Sequence, residues 1–444
     1  MVILRTFLAL SLTVAAFGQD LAAKADPFFT ELARQGKFSG VVLIAKDGKV
    51  EFAKGYGMAD YEAKRPNTLE TQFRIGSITK QFTAAAILQL AEKGKLKLSD
   101  SACQHLPRCA DAWKPLTLHH LLSHTGGLAN FTSLPGYAGI MNLPSEAHEQ
   151  LKLVWEMPLE FTPGEKFEYS NTGYLLLGLV IEKVSGEPLG QYFTKHIFEP
   201  AGMRSTRLEG TNDNLPQRAR GYRGNGGNPV PAQPIDMRIP GAAGAVVSTA
   251  PDLLAWDRAL AANKVISAAS RKLMLTEVKG GYGYGTSLRP FQGKATDGHN
   301  GGINGFVSLF TRFTDEGTAV VALANFEDIP GNEVMPGLMA LAVGGSPEMP
   351  KERKEVSLEE SVLEEYVGRY ELTPDFSLSI RLEGKQLITQ ATKQPPIPVF
   401  AEAKDVLFPK LMPATLRIQR GADGKVTGLV LEQGGRQMPA KKVE

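Results

Sequence analysis

Cysteine is scarce: the 444 residues carry only Cys103 and Cys109. That excludes a disulfide-dense scaffold, and the lack of a second cysteine pair weighs against a structural metal site. In an exported chain the two can close a short loop around Pro107; the alternative is two free thiols. A surplus of one charge is lacking as well. The 49 basic and 47 acidic residues leave a formal net charge of +2, which gives neither nucleic acid nor an anionic membrane a polybasic face to bind. Long apolar runs are missing beyond the N-terminus, so no later segment reaches the roughly 20 residues that a spanning helix needs. What remains is ordinary: 43% hydrophobic and 22% charged residues, in a chain long enough for two or three domains with real cores.

The one apolar run at the start, within 1–18, has the pattern of a secretory signal. Arg5 supplies a positive flank, Thr6 to Phe17 is too short to span a bilayer, and Ala16 and Gly18 are small residues at a cleavage site before Gln19. No cysteine follows, so a lipid anchor is not indicated. The expected location is secreted or periplasmic, with no integral membrane segment after cleavage.

The stretch that organises the rest is Phe73-Arg74-Ile75-Gly76-Ser77-Ile78-Thr79-Lys80. It runs into a helix whose apolar positions Ile78, Phe82, Ala85 and Leu88 recur at helical spacing. Ser77 and Lys80, three apart, are neighbours on a helix surface. A serine hydroxyl is a poor nucleophile until a base takes its proton. A lysine serves as that base when burial lowers its pKa from about 10.4. The helix start adds free N–H groups suited to an oxyanion. The plain alternative is a serine cap and a surface lysine, and it is the better reading of such a motif standing alone. Further motifs accompany it here.

Tyr169-Ser170-Asn171 is expected on a loop before a helix over 174–184. A tyrosine beside a lysine can relay a proton, and an asparagine can donate to a substrate carbonyl. Gly298-His299-Asn300-Gly301-Gly302 opens a strand of an antiparallel sheet, where glycines let a ligand approach closely. That sheet also takes strands over 307–313 and 319–325, and residues 40–53 read as a separate β-hairpin with a tight turn. Other segments are scaffold. Asp20 to Arg34 is an amphipathic helix. His119, His120 and His124 lie on or near a short helix capped by Thr117 and ended by Gly126 and Gly127; a metal reading is weaker than local hydrogen bonding. The small-residue run Pro240 to Thr249 packs closely near the site. Residues 346–357 form a Pro- and charge-rich linker. Six short strand signals beyond it, between Tyr366 and Leu431, give a small antiparallel β-barrel or meander over 358–444.

Three ordered motifs, S-x-x-K, Y-x-N and the triad His299-Asn300-Gly301, resemble the serine β-lactamase and penicillin-binding-protein superfamily, in its class C and D-alanyl-D-alanine carboxypeptidase branch. Leu121 to Leu128 and Phe161-x-Pro163-Gly164 look like the same branch's scaffold motifs, and the similarity runs from about Phe38 to Gly344. The C-terminal part resembles the lipocalin-like domain carried by many such hydrolases. The resemblance implies an α/β (α+β) fold: an antiparallel sheet flanked by helices with an all-α subdomain, over 19–345. It implies Ser77 as nucleophile, Lys80 as its activating partner and Tyr169 as general base and acid. Asn171, His299, Asn300 and Gly301 would bind substrate, and the N–H groups of Ser77 and Gly302 would form the oxyanion hole. No metal or cofactor is implied.

The expected reaction is hydrolysis of an amide or ester through an acyl-enzyme. The substrate would be a small molecule or peptide, such as a D-amino-acid peptide, a β-lactam or an ester. His299 stands where lactamases usually have a lysine, which weakens the anchor for a substrate carboxylate and weighs toward peptidases and esterases. A class C-like β-lactamase is the alternative within enzymes. A non-catalytic penicillin-binding sensor is the alternative outside them. The β domain is expected to act as a lid, specificity or docking module.

Overall fold

The computed structural model describes residues 20–143, 147–210, 215–224, 229–350, 352–392, 394, 396–410, 414–433 and 436–443. The predicted signal segment, 1–18, lies outside them. The first helix, α1, spans residues 20–34, as its amphipathic pattern predicts. A five-stranded antiparallel sheet follows, built from β1 (Gly40–Lys46), β2 (Lys49–Tyr56), β3 (Thr296–Ile303), β4 (Phe306–Phe313) and β5 (Thr318–Ala324). Their order is β3-β4-β5-β1-β2. The N-terminal hairpin thus joins the C-terminal strands through β1 and β5, which pair from Gly40↔Ala324 to Lys46↔Thr318.

The period-two alternation of β1 explains the layers. Val41, Leu43 and Ala45 join the larger core with helix α2 (Thr79–Glu92), α4 (Asn171–Ser185) and α5 (Ala250–Ala261). Val42 and Ile44 point the other way, into a second core with α1 and α6 (Gly331–Ala342). The sheet is therefore covered on both faces, and α2, which follows Ser77, is buried along nearly its whole length. The short helix α3 (Leu118–Leu122) is capped by Thr117, whose hydroxyl accepts from the His120 backbone N–H while the His120 ring accepts from the Thr117 N–H. It ends sooner than its two glycines imply, because His124 already adopts a left-handed backbone with φ +55°. Cys103 and Cys109 are joined in a disulfide, with Cα atoms 5.3 Å apart.

The C-terminal domain is a closed barrel of eight antiparallel strands. Two strands exceed the six expected, Ile397–Ala403 and Arg436–Lys442. Both were hidden by proline, which argues against a strand in a sequence. Here Pro398 pairs with Ile388 and Pro439 with Val430. The short helix α7 (Glu360–Glu365) contributes Leu363 to the barrel core beside Tyr366 and Tyr370. The middle of the linker is held by both domains rather than free. Arg34 pairs with Glu352 and the Gln35 amide donates to the Pro350 carbonyl, while Arg353 donates to the Ala414 carbonyl and the Thr415 hydroxyl.

The barrel faces α6 across a cleft lined by Glu333, Pro336 and Ala340 on one side and by Thr415, Arg417 and Glu432 on the other. That is the face of the sheet opposite α2, so within one chain the barrel does not cover Ser77 as a lid would.

Inside the barrel, Thr389 lines a cavity of about 170 Å3 with Leu378, Ala391, Leu416 and Leu431, and its buried hydroxyl has no hydrogen-bond partner among the described residues. A buried, unpaired hydroxyl costs about 1–3 kcal/mol. Thr389→Val keeps the shape and removes that cost, so it is expected to raise the barrel's stability in a denaturant titration by about 1 kcal/mol. A loss of stability would show that the hydroxyl is satisfied in solution.

Candidate active site

The backbone approaches itself closely before any side chain matters. Gly76 has φ +49°, and a Cβ there would lie 2.9 Å from the Gly302 nitrogen. Gly301 has the same constraint from the other side, since its Cβ would sit 2.1 Å from the Ile75 carbonyl oxygen. The Ser308 hydroxyl donates to that same carbonyl at 2.8 Å. Strand β3 is thus pressed against the residues that precede Ser77, and the two N–H groups expected to form the oxyanion hole, those of Ser77 and Gly302, come from adjoining backbone.

Ser77 lies in a 3-10 turn, Gly76–Ile78, and α2 starts only at Thr79. The sequence places Ser77 in the first turn of the helix itself; the tight turn instead lifts it just ahead of the helix. Lys80 remains three residues on. Its ammonium nitrogen lies 3.0 Å from Ser77 Oγ, 2.8 Å from Asn171 Oδ1 and 2.7 Å from the Ala243 carbonyl oxygen. Lys80 is fully buried, and desolvation holds its pKa well below the usual lysine value.

Counting donors decides how this contact works. A carbonyl and an amide oxygen only accept, so Lys80 donates to both. A neutral amine then has its lone pair left for the proton of Ser77. Tyr169 donates to Ser77 Oγ at 2.8 Å from the other side. Burial pushes its phenol above the ordinary range, so it keeps its proton. The Lys80 nitrogen also lies 4.8 Å from the centre of the Tyr169 ring.

Asn171 is the first residue of α4 and not part of a preceding loop. Its amide is engaged at both ends, accepting from Lys80 and donating to Thr132 Oγ1 at 3.0 Å. Its backbone N–H donates to Asn130 Oδ1 at 3.1 Å. His299 is 5% exposed, whereas Asn300 and Gly302 face solvent and Gly301 is buried. Its Nδ1–H donates to the Asn300 carbonyl, and its Nε2 accepts from the Tyr282 hydroxyl at 2.9 Å. That pattern needs a neutral ring. Burial pulls its pKa to about 3. The partial charge expected of a histidine near neutral pH is therefore absent here.

The structure brings Ser77, Lys80, Tyr169, Asn171 and the 299–302 strand together. It also brings in the Ala243 carbonyl, Asn130, Thr132 and Tyr282, which carry no motif of their own. Only the small-residue run 240–249 signalled the first. His119 bonds Tyr284 at 2.7 Å and His120 caps its own helix.

Residues 25–344 match the β-lactamase family model. The chain belongs to the β-lactamase family. Residues 352–442 match a domain family of unknown function, DUF3471. Penicillin-binding protein 4* of Bacillus subtilis is 27% identical over 443 residues, covering 92% of this chain and 96% of that protein. Esterase EstB of Burkholderia gladioli is 35% identical over 215 residues, covering 44% of this chain and 54% of that protein. A D-stereospecific amidohydrolase from Streptomyces sp. superposes with a TM-score of 0.57 at 26% identity, over 70% of this chain and 94% of its own. As a member of this family the protein is a serine hydrolase.

The neutral His299 has a consequence for stability. Its folded pKa of about 3 lies below the ordinary 6.5. Between those values the unfolded chain binds more protons, so stability rises with pH through the window and is lost as pH falls from about 6.5 to about 3. His299→Asn is expected to flatten the dependence of the melting temperature on pH across that window. Parallel curves for the two proteins would assign the dependence to other groups.

Proposed function

We propose that the protein is an exported hydrolase that cleaves esters or amides through an acyl-enzyme on Ser77, with D-amino-acid amides and peptides as its amide substrates. The observation that carries this is the contact set of Lys80, which leaves one lone pair for one proton. Lys80 takes the proton of Ser77 as Oγ bonds to the substrate carbonyl carbon. The oxyanion receives the N–H groups of Ser77 and Gly302, each such donor being worth about 2.7–4 kcal/mol in the transition state. As the carbon–leaving-group bond breaks, Tyr169 gives its proton to the leaving oxygen or nitrogen, and the proton on Lys80 restores the phenol. Water then attacks the acyl ester by the reverse proton path, and Ser77 is released. The buried lysine thus acts as base and the tyrosine as acid, a division that burial of both groups supports. Asn171 holds Lys80 in place.

His299 supports the choice of substrate. A neutral ring tied to Tyr282 offers no fixed charge to a terminal carboxylate. This favours an aminopeptidase, amidase or esterase over a carboxypeptidase or β-lactamase, in keeping with the names of the esterase and amidohydrolase relatives. The predicted signal segment supports export.

The test is intact-protein mass spectrometry after a fluorophosphonate and, separately, a fluorescent penicillin, with Ser77→Ala alongside. Wild type is expected to gain the fluorophosphonate adduct that the variant lacks, and to hydrolyse acyl nitrophenyl esters and D-amino-acid amides faster than D-alanyl-D-alanine peptides. A persistent penicillin adduct with carboxypeptidase turnover would overturn the substrate choice, and no adduct with either probe would overturn the enzyme reading. Lys80→Met is expected to lower kcat by about 10²–10⁴ while leaving the fold intact, as removal of a general base does. Activity within a few-fold of wild type would remove Lys80 from the base role.

A further inference from the structure

His124 has no part in the proton path above, yet four features converge on it. First, it is one of few non-glycine residues with positive φ, at +55°. That conformation is uncommon for a side-chain-bearing residue and marks a constraint. Second, its main chain and its ring grip the two residues that flank Tyr169. The Glu168 N–H donates to the His124 carbonyl at 2.9 Å, and the Ser170 N–H donates to its Nδ1 at 3.2 Å. Third, its ring lies against the Tyr169 ring, with centroids 4.2 Å apart and planes 36° apart. Fourth, accepting at Nδ1 leaves the proton of the neutral ring on Nε2, and that buried nitrogen has no hydrogen-bond partner among the described residues. A buried unpaired donor calls for an explanation.

A purely structural residue at this turn needs neither the ring nor the unpaired nitrogen. Glycine or asparagine supplies the left-handed backbone without them. The ring earns its place by contact: Tyr169 lies on it, and Tyr174, Tyr282 and Phe167 enclose it at 5.1, 4.9 and 5.9 Å.

We infer that His124 is a positioning residue for Tyr169: it clamps the backbone on both sides of the tyrosine and braces its ring, so that the phenol is aimed at Ser77 Oγ. The inference rests on the proposed role of Tyr169 as acid. It differs from a metal or catalytic histidine, because His124 reaches the reacting atoms only through the tyrosine. The charged and titratable groups around it are Lys80, His299, Tyr169, Tyr174 and Tyr282.

His124→Asn keeps the left-handed turn and an acceptor for the Ser170 N–H but removes the ring. With Tyr169 less well aimed, kcat per active serine, counted by fluorophosphonate titration, is expected to fall about tenfold to a hundredfold. KM is expected to stay within about twofold, since the lost interaction serves the transition state. Titrating the serine confines the measurement to folded protein. The deciding readout is a double-mutant cycle. In a Tyr169→Phe background His124→Asn is expected to cost almost nothing, because the group it positions is gone. Equal losses in both backgrounds would overturn the inference while leaving the hydrolase reading intact, and so would a loss seen in KM alone or no loss at all. A wild type that neither labels nor turns over would overturn both.

Discussion

The arrangement depends on one buried nitrogen. A charged ammonium taken out of water is costly by several kcal/mol unless it is paired with a negative group. Lys80 meets none: its partners are a hydroxyl, an amide oxygen and a backbone carbonyl. Those partners satisfy the donors of a neutral amine and leave its lone pair for one direction. Helix α2 is buried along its length, and Ala243 and Asn171 close the space above it. The low basicity of Lys80 is thus a property of the whole packing around α2, set by elements distant in the chain.

The same packing explains the glycines. Ser77, Lys80, Tyr169 and the 299–302 strand come from a tight turn, a helix, the residue two before α4 and the edge of a sheet. They meet only because two backbones touch between Gly76 and Gly302, and between Gly301 and Ile75. A methyl group at either contact separates the strand from the serine. The Ser308 hydroxyl, bonded to the Ile75 carbonyl, holds the approach at its other end. Close backbone contact here replaces what a longer side chain would need flexibility to reach.

Much of this was legible in the sequence, and the limits have physical causes. The S-x-x-K spacing, the hairpin around Asp47-Gly48 and the sheet after Gly298 follow from local rules of spacing and turn chemistry. Ala243 was not legible as a partner, because a backbone carbonyl has no side chain to signal it. Thr132 and Tyr282 are ordinary residues until the fold sets them beside Asn171 and His299. The start of α4 was expected three residues too late because Asn171-Thr172-Gly173 contains poor helix formers, yet the Asn171 N–H donating to Asn130 Oδ1 and the Phe131 N–H donating to Thr172 Oγ1 hold the first turn. Two barrel strands escaped because proline is tolerated where the ladder does not need its N–H. The charge state of His299 was beyond the sequence, since nothing local reveals burial.

In the proposed reaction, burial favours Lys80 as the base that receives the proton. Three nitrogen bases share one desolvated region: Lys80, His124 and His299. A charge on Lys80 lowers the affinity of both histidines for a proton, and His299 does the same to His124. A second positive charge in this region is therefore disfavoured. The lone pairs on the histidines are already occupied, at Nδ1 of His124 by the Ser170 N–H and at Nε2 of His299 by the Tyr282 hydroxyl. Only the lone pair of Lys80 faces a hydroxyl that must lose its proton. Once that proton arrives, the new charge makes both rings still poorer acceptors, so it has one way out, back through the tyrosine and the leaving group. The two neutral histidines thus confine the proton by having no room for it.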